Sequence, residues 1–133
     1  MLQLNWIQAE KSMYNNPSIQ QIQHDVRAAL EIVMGDSSPE MLDEMSSIFL
    51  EDAVPLFAQM KTGLATGDFK AISVAAHTLK GSSATIGLEK FAQLCLALEQ
   101  SSQAQETGQI GLSIAGLEAE FTTIEEALRH FLF

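Results

Sequence analysis

His77 is the residue best placed for chemistry, in the run Ala76-His77-Thr78-Leu79-Lys80-Gly81-Ser82-Ser83-Ala84. A neutral imidazole is a competent nucleophile near neutral pH, because its reference pKa is about 6.5. Lys80 follows three residues later, close enough on a helix to share a surface with it. Its ammonium would pair with a phosphoryl group on the ring nitrogen. A surface imidazole, an adjacent cation and an open approach are the minimal parts of a phosphoryl shuttle that needs no bound nucleotide. Gly81 fits the same idea. Glycine inside a helix costs up to about 1 kcal/mol relative to alanine, so clearance above the imidazole would account for it. A fraying helix end is the bland alternative.

The helix carrying His77 is expected from about Phe69 to Ala84, with Asp68 as its N-cap. At about 100° per residue, Ile72, Ala75, Ala76 and Leu79 cluster in one arc and mark the buried face. His77 then points roughly 140° away from that arc. Lys70, Ser73, Gly81 and Ala84 share its side, and Lys80 lies on its flank. Ser73, Gly81 and Ala84 are small, so a partner's backbone could come close over the histidine.

Apolar residues recur at helical spacing almost throughout, and no alternating strand is evident. A first helix is expected from about Ser18 to Met34, with Ile19, Ile22, Val26, Ala29, Leu30 and Val33 inward and Gly35 as C-cap. A second should run to about Ala65. Ser37-Ser38-Pro39-Glu40 opens it, with Ser and Glu three apart as in a capping box. Met41, Leu42, Met45, Ile48, Phe49, Leu56, Met60 and Leu64 supply its apolar face, and Pro55 should bend it. After the histidine helix and a turn at Thr85-Ile86-Gly87, a fourth helix is expected from Leu88 to Gln100, with Phe91, Leu94, Cys95 and Leu98 inward. Ser101 to Gly108 reads as a polar loop. The last helix runs from about Gln109 to Leu132, with Ile110, Ile114, Leu117, Phe121, Ile124, Leu128 and Phe131 forming a heptad-like seam. Short connections make neighbouring helices antiparallel. The expected fold is all-α: an antiparallel up-down-up-down four-helix bundle with an additional N-terminal helix. Residues 1–17 form a partly disordered N-terminal segment, in which Trp6 and Ile7 have the character to pack on the body. Asn15-Asn16-Pro17 reads as a break, and residues 18–133 form the bundle.

The chain has 133 residues, which suits one domain, and is 47% hydrophobic, enough for a core. Its net charge of −10 repels phosphate backbones and anionic membranes, so no nucleic-acid or membrane partner is expected. No apolar run reaches the roughly 18 residues of a spanning helix, and the N-terminus lacks the pattern of a signal peptide. The single cysteine, Cys95, falls on an apolar stripe and gives no disulfide or metal pattern. A cytoplasmic monomer without a metal site is the expectation.

The run from Ala76 through Gly87-Leu88 resembles the signature of histidine-containing phosphotransfer (HPt) domains: His-x-x-Lys-Gly, a Ser/Ala-rich stretch and a second Gly. Phe49-Leu50-Glu51-Asp52-Ala53 through Pro55 resembles the family's preceding helix, Gly67-Asp68-Phe69 its turn into the histidine helix, and Phe91 to Glu99 its following helix. The resemblance covers about residues 18–130. It implies that His77 is the phosphoacceptor, that Lys80 steadies the phosphoryl group and that Gly81 lets a partner dock. It further implies that Gly87 shapes the turn and that Glu99, where the family often has Gln, orients the other ring nitrogen. The implied role is a phosphorelay carrier in two-component signalling. It would take a phosphoryl group from a receiver-domain aspartate, as in a response regulator or hybrid sensor histidine kinase, and pass it to another receiver. Any Mg²⁺ would belong to the receiver, and no nucleotide site or other cofactor of its own is expected. Two alternatives stay open: a non-catalytic helical adaptor, and the phosphate-accepting domain of a chemotaxis-type histidine kinase. An enzyme in its own right is disfavoured, because no Gly-rich phosphate loop is present. His24 and His130 lack a following Lys-Gly pair and read as incidental.

Overall fold

The computed structural model describes residues 16–131; the expectations for Trp6, Ile7, Asn15, Leu132 and residue 133 lie outside them. Among the described residues there are five helices and no strand: α1 (Pro17–Met34), α2 (Pro39–Thr66), α3 (Phe69–Thr85), α4 (Glu89–Gln103) and α5 (Thr107–Arg129). The last four pack in sequence, α2 on α3, α3 on α4 and α4 on α5, and α5 returns to α2. Connections of two or three residues force each neighbour to reverse direction. The result is the expected up-down-up-down bundle with one helix added before it.

Local chemistry sets most boundaries. The Asn16 side chain accepts the Ser18 N–H and caps α1, so the helix starts at Pro17, inside the segment expected to precede the domain. Gly35 closes α1 in the left-handed conformation. Ser38 caps α2 by accepting the Met41 N–H at 3.3 Å. The Ser37–Glu40 capping box does not form, because the Ser37 hydroxyl donates to Glu31 at 2.8 Å instead. Pro55 removes one backbone donor, yet α2 continues through it. The Asp68 carboxylate accepts the Ala71 N–H at 3.1 Å and caps α3 as expected.

The expected loop from Ser101 to Gly108 is mostly helix. Ser101 and Ser102 are buried at the end of α4, where the Ser102 hydroxyl donates to the Leu98 carbonyl at 2.7 Å. That bond satisfies the hydroxyl inside the helix, so serine does not break it. The turn is made at Ala104-Gln105-Glu106, with Gln105 in the left-handed region at φ 58°, and α5 starts two residues before the expected position.

The core runs the length of the bundle. Phe49, Phe57, Phe91 and Phe121 form a ring cluster whose centroids lie 5.2–6.3 Å apart, within the favourable range for aromatic pairs. Two expected core residues are exposed. Val33 lies in the last turn of α1, where Ile32 and Met34 are exposed as well. Ile48 lies beside the buried α2 positions, Leu42, Ser46, Phe49, Ala53, Phe57, Met60 and Gly63, which step by threes and fours. Helix α1 covers the end of the bundle where α4 begins and α5 finishes. The Gln23 side-chain amide donates to the Ala127 and His130 carbonyls, each at 2.9 Å, and so satisfies acceptors at the end of α5. No described helix is long and apolar enough to cross a membrane.

Candidate functional site

Helix α3 presents His77 because its other face is fully committed to the core. Ile72, Ala75, Ala76 and Leu79 are at most 1% exposed, which fixes the rotation of the helix about its axis. His77 then projects outward with its side chain 67% exposed. Glycine at 81 meets the expectation of open space: a Cβ there would find nothing within 4 Å. Helix α3 runs on to Thr85, so Gly81 is interior and the frayed-end explanation fails. Ser73 is half-buried and Ala84 exposed on the same stripe. The hydroxyls of Thr78, Ser82, Ser83 and Thr85 donate to carbonyls one turn back, so this hydroxyl-rich run folds onto its own helix.

Helix α4 brings Glu99 beneath the imidazole. Its Oε1 and Oε2 lie 3.2 and 3.3 Å from His77 Nδ1. Lys80 Nζ donates to Glu99 Oε2 at 3.0 Å. One carboxylate therefore holds both the histidine and the lysine, and its side chain is only 14% exposed. Burial pushes the Glu99 carboxyl upward, but the hydrogen bonds and positive charge of Lys80 and His77 outweigh it and hold the group below its ordinary value. Glu99 is thus ionised at neutral pH and can only accept. The neutral imidazole must then donate from Nδ1 and leave the Nε2 lone pair facing outward. Lys80, expected to pair with a phosphoryl group on the ring, is held by Glu99 beside that ring.

The turn between α3 and α4 holds the two helices in this register. Gly87 adopts φ +84°, and a Cβ on it would lie 2.6 Å from the Asp25 carbonyl oxygen and 2.7 Å from the Ala29 methyl. Only glycine allows α1 to approach the turn so closely. Behind the site Cys95 is buried, and burial pushes its thiol up to about 12 against a smaller opposite pull from Lys80. Two residues near the His77 stripe escaped the sequence reading: Val74 beside His77, and Gln103 in a groove with Lys70 and Ser73. Val74 is half-exposed one turn before His77, a position visible as i−3 on the helix. Gln103 was hidden because it fell in the expected loop. His24 stands apart beside Asp25, and His130 lies beyond α5.

The Hpt domain model matches residues 44–130, about two thirds of the sequence, and the chain belongs to that family. It is 33% identical over 79 residues to histidine-containing phosphotransfer protein 2 of Arabidopsis thaliana, covering 57% of this chain and 51% of that protein. It is 26% identical over 104 residues to histidine-containing phosphotransfer protein 4 of the same plant, covering 77% and 82%. It is 35% identical over 82 residues to sensor protein TorS of Escherichia coli (strain K12), covering 60% of this chain and 9% of TorS. The chain thus spans about half the length of the first of these relatives and a small part of TorS. No solved structure matches it significantly.

Proposed function

We propose that this chain is a phosphorelay carrier in two-component signalling, and that His77 Nε2 carries the phosphoryl group. The observation behind this reading is the Glu99 carboxylate on His77 Nδ1, which leaves Nε2 as the nucleophile on an exposed ring. The Nε2 lone pair attacks phosphorus of a receiver's aspartyl phosphate. The P–N bond forms as the P–O bond breaks, and the receiver carboxylate leaves. The Nδ1 proton stays on the ring, and Glu99 offsets the cationic character of the phosphorylated imidazole. Lys80 holds Glu99 ionised and supplies positive charge beside the incoming group. Ser73, Gly81 and Ala84 keep the approach low enough for a receiver's backbone. Attack by a second receiver's aspartate on phosphohistidine reverses the step and regenerates the neutral ring. Mg²⁺, when bound in the receiver, would neutralise charge on the transferring phosphoryl group. On this reading the chain is a carrier in the cytoplasm, without a nucleotide site of its own, serving response-regulator receivers and a hybrid sensor kinase.

The test is transfer from a phosphorylated receiver in the presence of Mg²⁺, with wild type and His77→Gln. Wild type should gain acid-labile, base-stable phosphate and the variant none. If wild type takes label from no receiver but does so from a kinase ATP-binding domain, the chemotaxis-type role replaces this one. If it takes label from neither, the adaptor reading does.

A further inference from the structure

The His77 stripe continues past the site to Lys70, two helical turns toward the start of α3 and about 10 Å from the histidine along the axis. Helix α3 contains Lys70, His77 and Lys80 and no carboxylate, in a chain whose net charge is −10. Lys61, Lys80, Lys90 and Arg129 each hold a carboxylate within 4 Å. Among the described residues Lys70 holds none, and no hydrogen bond engages its ammonium. It borders a shallow groove of about 290 Å³ with Ser73, Ser102, Gln103 and Gln105, none of which is charged. Glu99, on the site's α4 side, is already paired with Lys80. Lys70 is therefore the one unpaired cation of α3 on an anionic molecule. Any surface delivering a phosphoryl group to His77 must bring negative charge with it, and elsewhere this chain repels such a surface.

We infer that Lys70 and the groove beside it form a docking site for an acidic side chain on the receiver. This rests on the carrier reading and adds the residue that recognises the partner. The effect belongs to association, because an exposed charge at an interface rim acts chiefly on the on-rate and its salt dependence. Reversing Lys70 changes by two units the charge facing a receiver carboxylate about 6 Å away. In water that slows encounter about fivefold at roughly 20 mM salt, and by less than about twofold at roughly 0.5 M, where the screening length is roughly 4 Å.

The experiment compares second-order transfer rate constants from one phosphorylated receiver to wild type, Lys70→Glu, Lys70→Gln and Lys90→Glu at both salt concentrations. Lys90→Glu makes the same change in net charge on α4. Labelling of His77 by phosphoramidate, a small donor that needs no docking, runs in parallel. The expected result is equal phosphoramidate labelling throughout and a low-salt loss confined to the Lys70 variants, larger for Glu than for Gln. Equal rates for Lys70→Glu and wild type, or equal losses for Lys70→Glu and Lys90→Glu, overturn the inference and leave the carrier reading intact. Wild type that draws phosphate from no receiver overturns both.

Discussion

Replacing Glu99 tests the logic of the site most directly. Glu99→Ala removes the acceptor of His77 Nδ1 at 3.2 Å and of Lys80 Nζ at 3.0 Å. Charge-assisted hydrogen bonds contribute about 1.5–3 kcal/mol when buried and far less at the surface. His77 is mostly exposed, so its bond is worth about 0.5 kcal/mol. The Lys80–Glu99 pair is better shielded and worth about 1 kcal/mol. The variant should lose about 1–2 kcal/mol, which lowers Tm by roughly 3–8 °C for a domain of this size. Its imidazole would also sample both tautomers and more rotamers, and phosphoryl acceptance should fall about tenfold, equivalent to roughly 1.4 kcal/mol. Glu99→Gln separates the two partners. The amide oxygen still accepts from Nδ1, but its NH₂ cannot accept from Lys80, so acceptance should stay within about threefold while the ion pair is lost. The pH dependence follows from the depressed carboxyl. The stability that wild type holds over Glu99→Gln is present above the ordinary value of 4.5 and disappears as the pH falls through the lower folded value. Thermal unfolding from pH 7 to pH 3 and initial rates of label uptake read both effects. Wild-type rate and Tm in Glu99→Ala would refute the argument that this carboxylate sets the reactive nitrogen. Any effect of Lys80→Met that persists in the Glu99→Gln background measures what Lys80 gives the phosphoryl group directly.

Gly81→Ala should raise stability by about 0.5–1 kcal/mol, because the added methyl meets nothing and alanine favours the helix. The same variant should transfer more slowly, and a stability gain without a kinetic loss would show that the glycine is not there for the partner. Gly87→Ala should destabilise by at least about 2 kcal/mol, since a left-handed residue gains a Cβ against the Asp25 carbonyl; denaturant unfolding reads this directly. Cys95 should resist thiol reagents at neutral pH until the protein unfolds, because its thiol is buried with its pKa raised to about 12; labelling that outpaces unfolding would contradict that burial.

The helices and the histidine face were legible because apolar residues at helical spacing record burial wherever the buried residue is large. Ile72 and Leu79 pointed one way, so His77 had to point the other. The reading failed where burial is carried by small or polar groups. Ser46, Ala53 and Gly63 line the packed side of α2 without a hydrophobic signal, and Ile48 beside them drew the stripe off course. Gln23 is buried because its amide meets two carbonyls more than a hundred residues away, a partnership no local pattern reveals. Ser101 and Ser102 looked like loop because serine usually marks one. Glu99 was legible only through the family resemblance: its contact with His77 joins two helices, and spacing along one helix says nothing about register across a pair.

The clasp between α1 and the rest joins parts of the chain that are far apart in sequence. The family match begins at residue 44, inside α2, and leaves α1 out. His77, Lys80 and Glu99 all lie on one helical hairpin of consecutive sequence, whereas Gln23 reaches across nearly the whole described chain. The three side chains are thus local in sequence, and α1 packs onto the end of the bundle with Val26 and Leu30 in the shared core. Yet Gly87 at the tip of that hairpin touches α1 with no room to spare. An exchange of α1 for another sequence would leave His77, Lys80 and Glu99 on their own two helices. It would release the constraint on residue 87, where α1 presses on the turn of the hairpin that carries His77.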